Sequence, residues 1–162
     1  MKSLNKSIYE YGKQVEKGDI RKAYRGLMDF IKGLRIYFKD HYPEYGVSGN
    51  IYQGYMDMTF FSFAPKALKD RDLKLAIVFV HEKIEFEVWL TGRNTEIQTK
   101  YRELLRKKTL SKYSVSTDEK GVSSIIEHTL VENPDFDNPQ DLTKQIEFGV
   151  KDFIKDIEKL LN

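Results

Sequence analysis

Residues 73–105 constrain the fold most strongly, because they encode two strands joined by a tight turn and then an amphipathic helix. Residues 73–81 are rich in β-branched and aromatic side chains and contain no glycine or proline, which is typical of a strand. Residues 84–91 place an apolar side chain at every second position, which predicts a second strand with one buried face. Only Glu82 and Lys83 need lie between them, so the pair is predicted to form an antiparallel hairpin.

The pairing within this hairpin determines which side chains face the core. A two-residue turn places Phe79 opposite Phe86, so one face is wholly apolar and must be covered. Glu85, Glu87 and Trp89 share the other face with a lysine and small apolar side chains of the preceding strand. We therefore expect the acidic side chains beside the tryptophan to face outward together.

Two helices are predicted at the N-terminus. The first has apolar residues at helical spacing, namely Leu4, Ile8, Tyr11 and Val15. Gly18 ends that helix, and Asp19 caps a second helix that must stop before Pro43. The short connection between them predicts an αα-hairpin.

The remaining elements complete a sheet and flank it with helices. Residues 55–63 predict the first strand, and a crossing basic helix follows the hairpin. Residues 122–131 predict the last strand, alone or paired with a further strand near residue 115, and Pro139 begins a C-terminal helix. The order ααβββαβα makes residues 1–162 a single α+β domain with a mostly antiparallel sheet of four or five strands.

Composition removes several classes of site. The chain of 162 residues has no cysteine, which excludes disulfides, thiolate metal sites and a cysteine nucleophile. Its three histidines are scattered without ligand spacing and therefore predict no metal site, and no cofactor is predicted. The N-terminus lacks the apolar region of a signal peptide, and the longest wholly apolar run spans only residues 75–80. We therefore expect a cytoplasmic protein with no membrane partner.

One polar constellation is a candidate binding site. Carboxylates are disfavoured within strands unless they are solvated or paired, and three predicted strand positions are acidic. If the first strand adjoins the hairpin, Asp57 and Glu87 converge and can bind a small polar ligand, or a divalent cation through oxygen ligands. The ligand-binding candidates are Tyr55, Asp57, Lys74, Glu87, Trp89 and Arg93. The alternative is an ordinary solvated sheet face with cross-strand pairs of glutamate and lysine.

The basic helix suggests a second type of partner. Residues 93–112 carry seven basic and two acidic groups, although the net charge of the chain is only +2. The nucleic-acid candidates are Arg102, Arg106, Lys107 and Lys108, which can contact phosphates. The alternative is that these residues form the solvated face of a helix whose other side is buried.

Three runs of residues carry a resemblance to a known family. Residues 23–28, 52–59 and 86–94 resemble a family of uncharacterised bacterial proteins, one of the groups known as domains of unknown function, over nearly the whole chain. This resemblance implies no activity.

A more distant similarity concerns the order of elements, which is similar to the core of the PD-(D/E)XK nuclease superfamily. That resemblance implies Mg²⁺-binding acids, with a (D/E)-x-K motif on the third core strand. Glu87, Val88 and Trp89 occupy this position, with tryptophan in place of lysine. Asp72 and Lys74 match a D-x-K motif at the start of the preceding strand.

These observations favour a non-catalytic module that binds a small polar ligand or a protein partner through its polar and aromatic sheet face. The alternative is a PD-(D/E)XK nuclease-like domain, or a degenerate descendant that binds nucleic acid. A structural or regulatory homodimer is the third hypothesis.

Overall fold

The computed structural model describes residues 1–117 and 124–162. The predicted turn at residues 118–121 and the start of the predicted last strand lie outside the described residues. The elements are α1 (Leu4–Glu16), α2 (Asp19–His41), a 3-10 turn (Pro43–Tyr45), β1 (Met58–Phe63), α3 (Lys66–Lys69), β2 (Leu73–Val80), β3 (Glu85–Gly92), α4 (Thr95–Arg106), β4 (Ile126–Glu132) and α5 (Pro139–Leu161). The predicted α+β class and order are confirmed, with the one-turn helix α3 added between β1 and β2.

The sheet is antiparallel throughout, in the order β1-β2-β3-β4. Phe79 pairs with Phe86, so the predicted register of the central hairpin is confirmed. Strand β4 begins beside the end of β3, where Leu90 pairs with Ile126. The strand predicted near residue 115 is a single bridge between Val115 and Ile126.

Helices α2 and α5 cover one face of the sheet, which we call the inner face. Phe38 of α2 lies against Phe61 and Phe63 of β1, with ring centroids 6.4 and 5.9 Å apart. Phe153 of α5 stacks on His128 of β4 at 5.8 Å. These contacts bury the apolar side chains of every strand on that face, and they leave the opposite, outer face of the sheet to form the site described below.

The first strand begins later than predicted. It starts at Met58 rather than Tyr55, because residues 54–57 form a turn in which Gly54 has a φ of 70°. The Asp57 carboxylate accepts hydrogen bonds from the backbone N–H groups of Tyr55 and Met58, at 2.9 and 2.7 Å. This side chain therefore caps a turn and does not lie within a strand.

Helix α1 follows the predicted boundaries but leaves its apolar stripe uncovered. It joins α2 through Lys17 and Gly18, yet none of its residues is buried. Leu4 and Ile8 are 74% and 56% exposed. The predicted αα-hairpin is therefore two consecutive helices, of which α2 enters the core and α1 does not.

Candidate functional site

The outer face carries a trough of about 670 Å³, which lies within the range of small-molecule pockets. Small side chains of β2, Ala76 and Val78, form its floor, since both are buried. Phe60 of β1 and Trp89 of β3 rise on either side of them. The trough therefore arises because a strand with small outward residues lies between two strands that carry aromatic ones.

The segment before β1 extends one wall of the trough. Tyr52 pairs with Phe60 through two backbone hydrogen bonds of 2.8 and 2.9 Å, and their rings lie 4.9 Å apart. The turn at residues 54–57 holds this segment against the sheet. Neither Tyr52 nor Phe60 was among the ligand-binding residues predicted from the sequence. The period of two in a strand does, however, place Phe60 and Thr59 on opposite faces of β1.

Trp89 is held in place by a buried carboxylate. Its indole Nε1 donates a hydrogen bond of 2.9 Å to Oε1 of Glu87, which is only 3% exposed. The other oxygen of Glu87 has no hydrogen-bond partner among the described residues, and Lys83 Nζ lies 3.5 Å from it. Glu87 therefore orients the tryptophan ring from the neighbouring position on the same face of β3, and it does not itself line the trough.

A second carboxylate lies beside this pair. The Glu87 carboxylate raises the pKa of Glu85, because a protonated Glu85 can donate a hydrogen bond to it, and burial and charge repulsion add to the shift. Lys83 lies 3.8 Å from Glu85 and opposes these effects. The two glutamates and the lysine form one cluster of charged groups at the turn end of the hairpin.

The opposite end of the trough is polar. Lys74 is exposed and forms no ion pair or side-chain hydrogen bond with any residue that the structure describes. Asn94 caps α4 by accepting a hydrogen bond from Ile97 N–H at 2.9 Å, and Gln98 accepts one from Gly92 N–H at 3.1 Å. A cation and the first turn of a helix thus meet at one end of an apolar trough.

The structure brings together some of the predicted ligand-binding residues and separates others. Lys74 and Trp89 line the trough, and Glu87 supports Trp89. Tyr55 is 90% exposed in the turn before β1. Arg93 follows the last residue of β3, does not line the trough, and pairs with Asp72 at 3.1 Å.

Asp57 is the member of the predicted constellation that geometry separates from Glu87. Thr59 pairs with Phe79 on the inner face, whereas Phe60 belongs to the row of Glu87 on the outer face. Even a longer β1 would therefore direct Asp57 to the wrong side of the sheet, because side chains alternate with period 2. Its backbone hydrogen bonds from Tyr55 and Met58 lower the pKa of Asp57, which fits its role in the turn.

We expect the Gly54→Ala substitution to destabilise this turn and the wall that it carries. A Cβ at residue 54 would lie 2.2 Å from the carbonyl oxygen of Met58, and the positive φ is unfavourable for alanine by about 1–2 kcal/mol. Urea unfolding should show a loss of at least about 1 kcal/mol. The matched control is Gly49→Ala, where a Cβ meets nothing within 4 Å. Equal stability of the two variants would contradict this account of the turn.

Some of the basic residues on α4 and just after it donate hydrogen bonds to backbone carbonyls of other segments of the same chain. Arg102 is buried, and its Nε and Nη2 atoms donate to the Ser124 carbonyl at 3.0 and 2.7 Å. Arg106 donates to the Ser116 carbonyl at 2.9 Å, and Lys108 donates to the Leu160 carbonyl. Lys107 is exposed. A nucleic-acid interface on this helix stays a prediction, and burial of Arg102 limits how that residue could take part.

The D-x-K motif at residues 72–74 and Glu87 lie far apart in the sheet. Asp72 precedes β2, whereas Glu87 pairs with Val78, so about 20 Å of strand separates the two carboxylates. Within residues 1–117 and 124–162, no three histidine or acidic side chains are grouped as metal ligands would be. Asp72 and Glu87 therefore do not form the pair of acids that the likeness in element order implies.

None of the described helices has the length and apolar character needed to cross a membrane.

Comparisons with known proteins place the chain in a family. No curated protein and no solved structure shows significant similarity to the chain. The model of a family described as a domain of unknown function, DUF7000, matches residues 4–161, and the chain belongs to this family.

Proposed function

We propose that this protein is a non-catalytic module that binds a small, partly apolar anion in the trough of its outer face. The observation that carries the proposal is the position of Trp89, a half-buried aromatic ring that lines the trough and is fixed by Glu87. Binding pockets combine apolar and aromatic walls with a few polar groups that orient the ligand. The trough has this composition.

The polar end of the trough supports an anionic ligand. Lys74 is the cation that lines it, and its charge is not balanced by an ion pair with the described residues. The one acidic residue in the lining, Glu127, lies across the sheet on β4 and accepts a hydrogen bond from Ser124 Oγ at 3.0 Å. A ligand with one carboxylate or phosphate group near Lys74 and an aromatic or aliphatic body over Trp89 would satisfy both ends.

The single tryptophan of the chain makes the proposal directly testable. Trp89 gives one indole N–H signal in NMR, and its fluorescence reports on the trough alone. We expect 3-phenylpropionate to shift both signals with a dissociation constant on the order of 1 mM, as suits a fragment of this size. The neutral analogue 3-phenylpropanol should bind more weakly.

We expect Lys74→Met to weaken binding of 3-phenylpropionate by about fivefold to tenfold, since a charge-assisted contact is lost. The substitution should leave binding of 3-phenylpropanol unchanged. The control is Lys69→Met, an exposed lysine of α3 that lies outside the trough. Absence of any shift of the Trp89 signals with either compound, or equal affinity in both lysine variants, would contradict the proposal.

A further inference from the structure

The surface of α1 has features that the trough does not explain. Apolar side chains along one side of this 13-residue helix stand in solvent, with Leu4, Ile8 and Tyr11 74%, 56% and 59% exposed. Helices at the surface of a folded domain normally turn such a stripe toward the core. Leu4, Ile8 and Tyr11 therefore have no covering surface among the described residues, whereas Val15, next to the connection to α2, is half-buried.

The spacing of the stripe is that of a coiled-coil seam. Leu4 and Tyr11 are seven residues apart, and Ile8 and Val15 are seven residues apart, so the four occupy alternating d and a positions of a heptad. Both a positions carry β-branched residues, and one d position is leucine. This choice favours two-stranded assemblies.

The charges of α1 indicate which kind of partner fits. The helix carries two lysines and two glutamates, so it has no net charge to attract an anionic membrane or a nucleic acid. The positions that flank the stripe are uncharged: Asn5, Ser7, Gly12 and Gln14. Lys6 and Lys13 lie on the opposite side of the helix. Two copies of this surface could therefore approach each other without repulsion between like charges.

We propose that α1 is a docking surface for α1 of a second copy of this chain. The two stripes bury each other in a short two-stranded contact, and the sheet and trough of each copy stay free. Because the contact spans only about two heptads, it is expected to be weak and to depend on concentration.

Light scattering coupled to size exclusion tests this proposal with the full chain. We expect the measured mass to rise from 19.1 kDa toward twice that value between about 10 μM and 1 mM. Ile8→Glu should hold the mass at one chain across this range. Its fold should be unaffected in circular dichroism, because α1 buries no residue. Tyr9→Glu is the matched control, since Tyr9 is 72% exposed on the same helix but off the stripe.

Cross-linking adds an independent readout, because the chain has no cysteine. Ile8→Cys should form a disulfide with itself in a parallel pair, or with Tyr11→Cys in an antiparallel pair. Lys13→Cys, on the opposite side, should form neither.

Three outcomes would overturn the proposal. The first is a mass of one chain throughout the concentration range. The second is association that Ile8→Glu leaves unchanged, which would locate the contact elsewhere. The third is a one-chain mass together with sedimentation on anionic phospholipid vesicles that Ile8→Glu abolishes, which would assign the stripe to a membrane surface.

Discussion

Replacement of Phe38 with alanine is expected to lower the free energy of unfolding by about 3–5 kcal/mol. Phe38 is fully buried at the centre of the contact between α2 and the sheet. Its ring lies within 6.4 Å of the ring centroids of Phe61, Phe63 and Tyr42. Removal of the ring leaves a cavity lined by rigid aromatic groups, which can close only in part.

Urea unfolding followed by circular dichroism measures this loss. The matched control is Ile36→Ala on the same helix, because Ile36 is 49% exposed and its truncation should cost less than about 1 kcal/mol. A loss of similar size in both variants would mean that α2 does not pack against β1 through Phe38.

Replacement of Glu147 with alanine is expected to cost about 3 kcal/mol, the second large effect. Glu147 lies on α5 and is only 7% exposed. It accepts hydrogen bonds from the Tyr42 hydroxyl at 2.6 Å and the Tyr37 hydroxyl at 3.0 Å, and Lys144 Nζ lies 3.4 Å away. Alanine would leave the hydroxyl groups of Tyr37 and Tyr42 without this acceptor, whereas Glu147→Gln should keep part of the network and lose less.

The pKa of the Glu147 carboxyl group predicts that the stability of the fold depends on pH. Burial alone would raise the pKa of Glu147, but hydrogen bonds from Tyr42, Tyr37 and Lys144 outweigh it and hold the pKa below its ordinary value. The carboxylate therefore stabilises the fold at any pH above the ordinary glutamate pKa of about 4.3, and this contribution is lost as the pH falls through the lower folded value.

The difference in unfolding free energy between the native chain and Glu147→Gln should accordingly be constant near neutral pH and shrink in acid. Glu103→Gln is the control, since Glu103 is exposed on α4. A difference that grows as the pH falls would contradict the assigned direction of the pKa shift.

The course of β1 shows why local patterns predict an element better than its ends. Residues 58–63 alternate between buried and half-buried positions as a strand should, and this alternation is written in the sequence. The preceding residues could have continued it by composition. They form a turn instead, because the Asp57 carboxylate accepts backbone hydrogen bonds there and Gly54 allows the positive φ. A pattern of apolar residues does not show that a turn will form in place of a longer strand.

Arg102 on α4 also shows what a local sequence pattern predicts and what it does not. It lies next to Tyr101 and three residues before Leu105, so its position on the buried side of the helix follows from helical spacing. The Ser124 carbonyl, which is 22 residues away in the chain, helps to make burial of its charge tolerable. No local pattern indicates that this acceptor will be present.

The sequence by itself determined the four long helices, the hairpin register and the inward face of the sheet, because these depend on periods of two and 3.6 residues. The tertiary structure alone decided that β2 places small side chains between Phe60 and Trp89, that a buried Glu87 accepts the hydrogen bond of the indole, and that most of the apolar stripe of α1 stands uncovered. Those outcomes depend on which strands become neighbours and which surfaces find a partner, and such contacts join residues that are far apart in the chain.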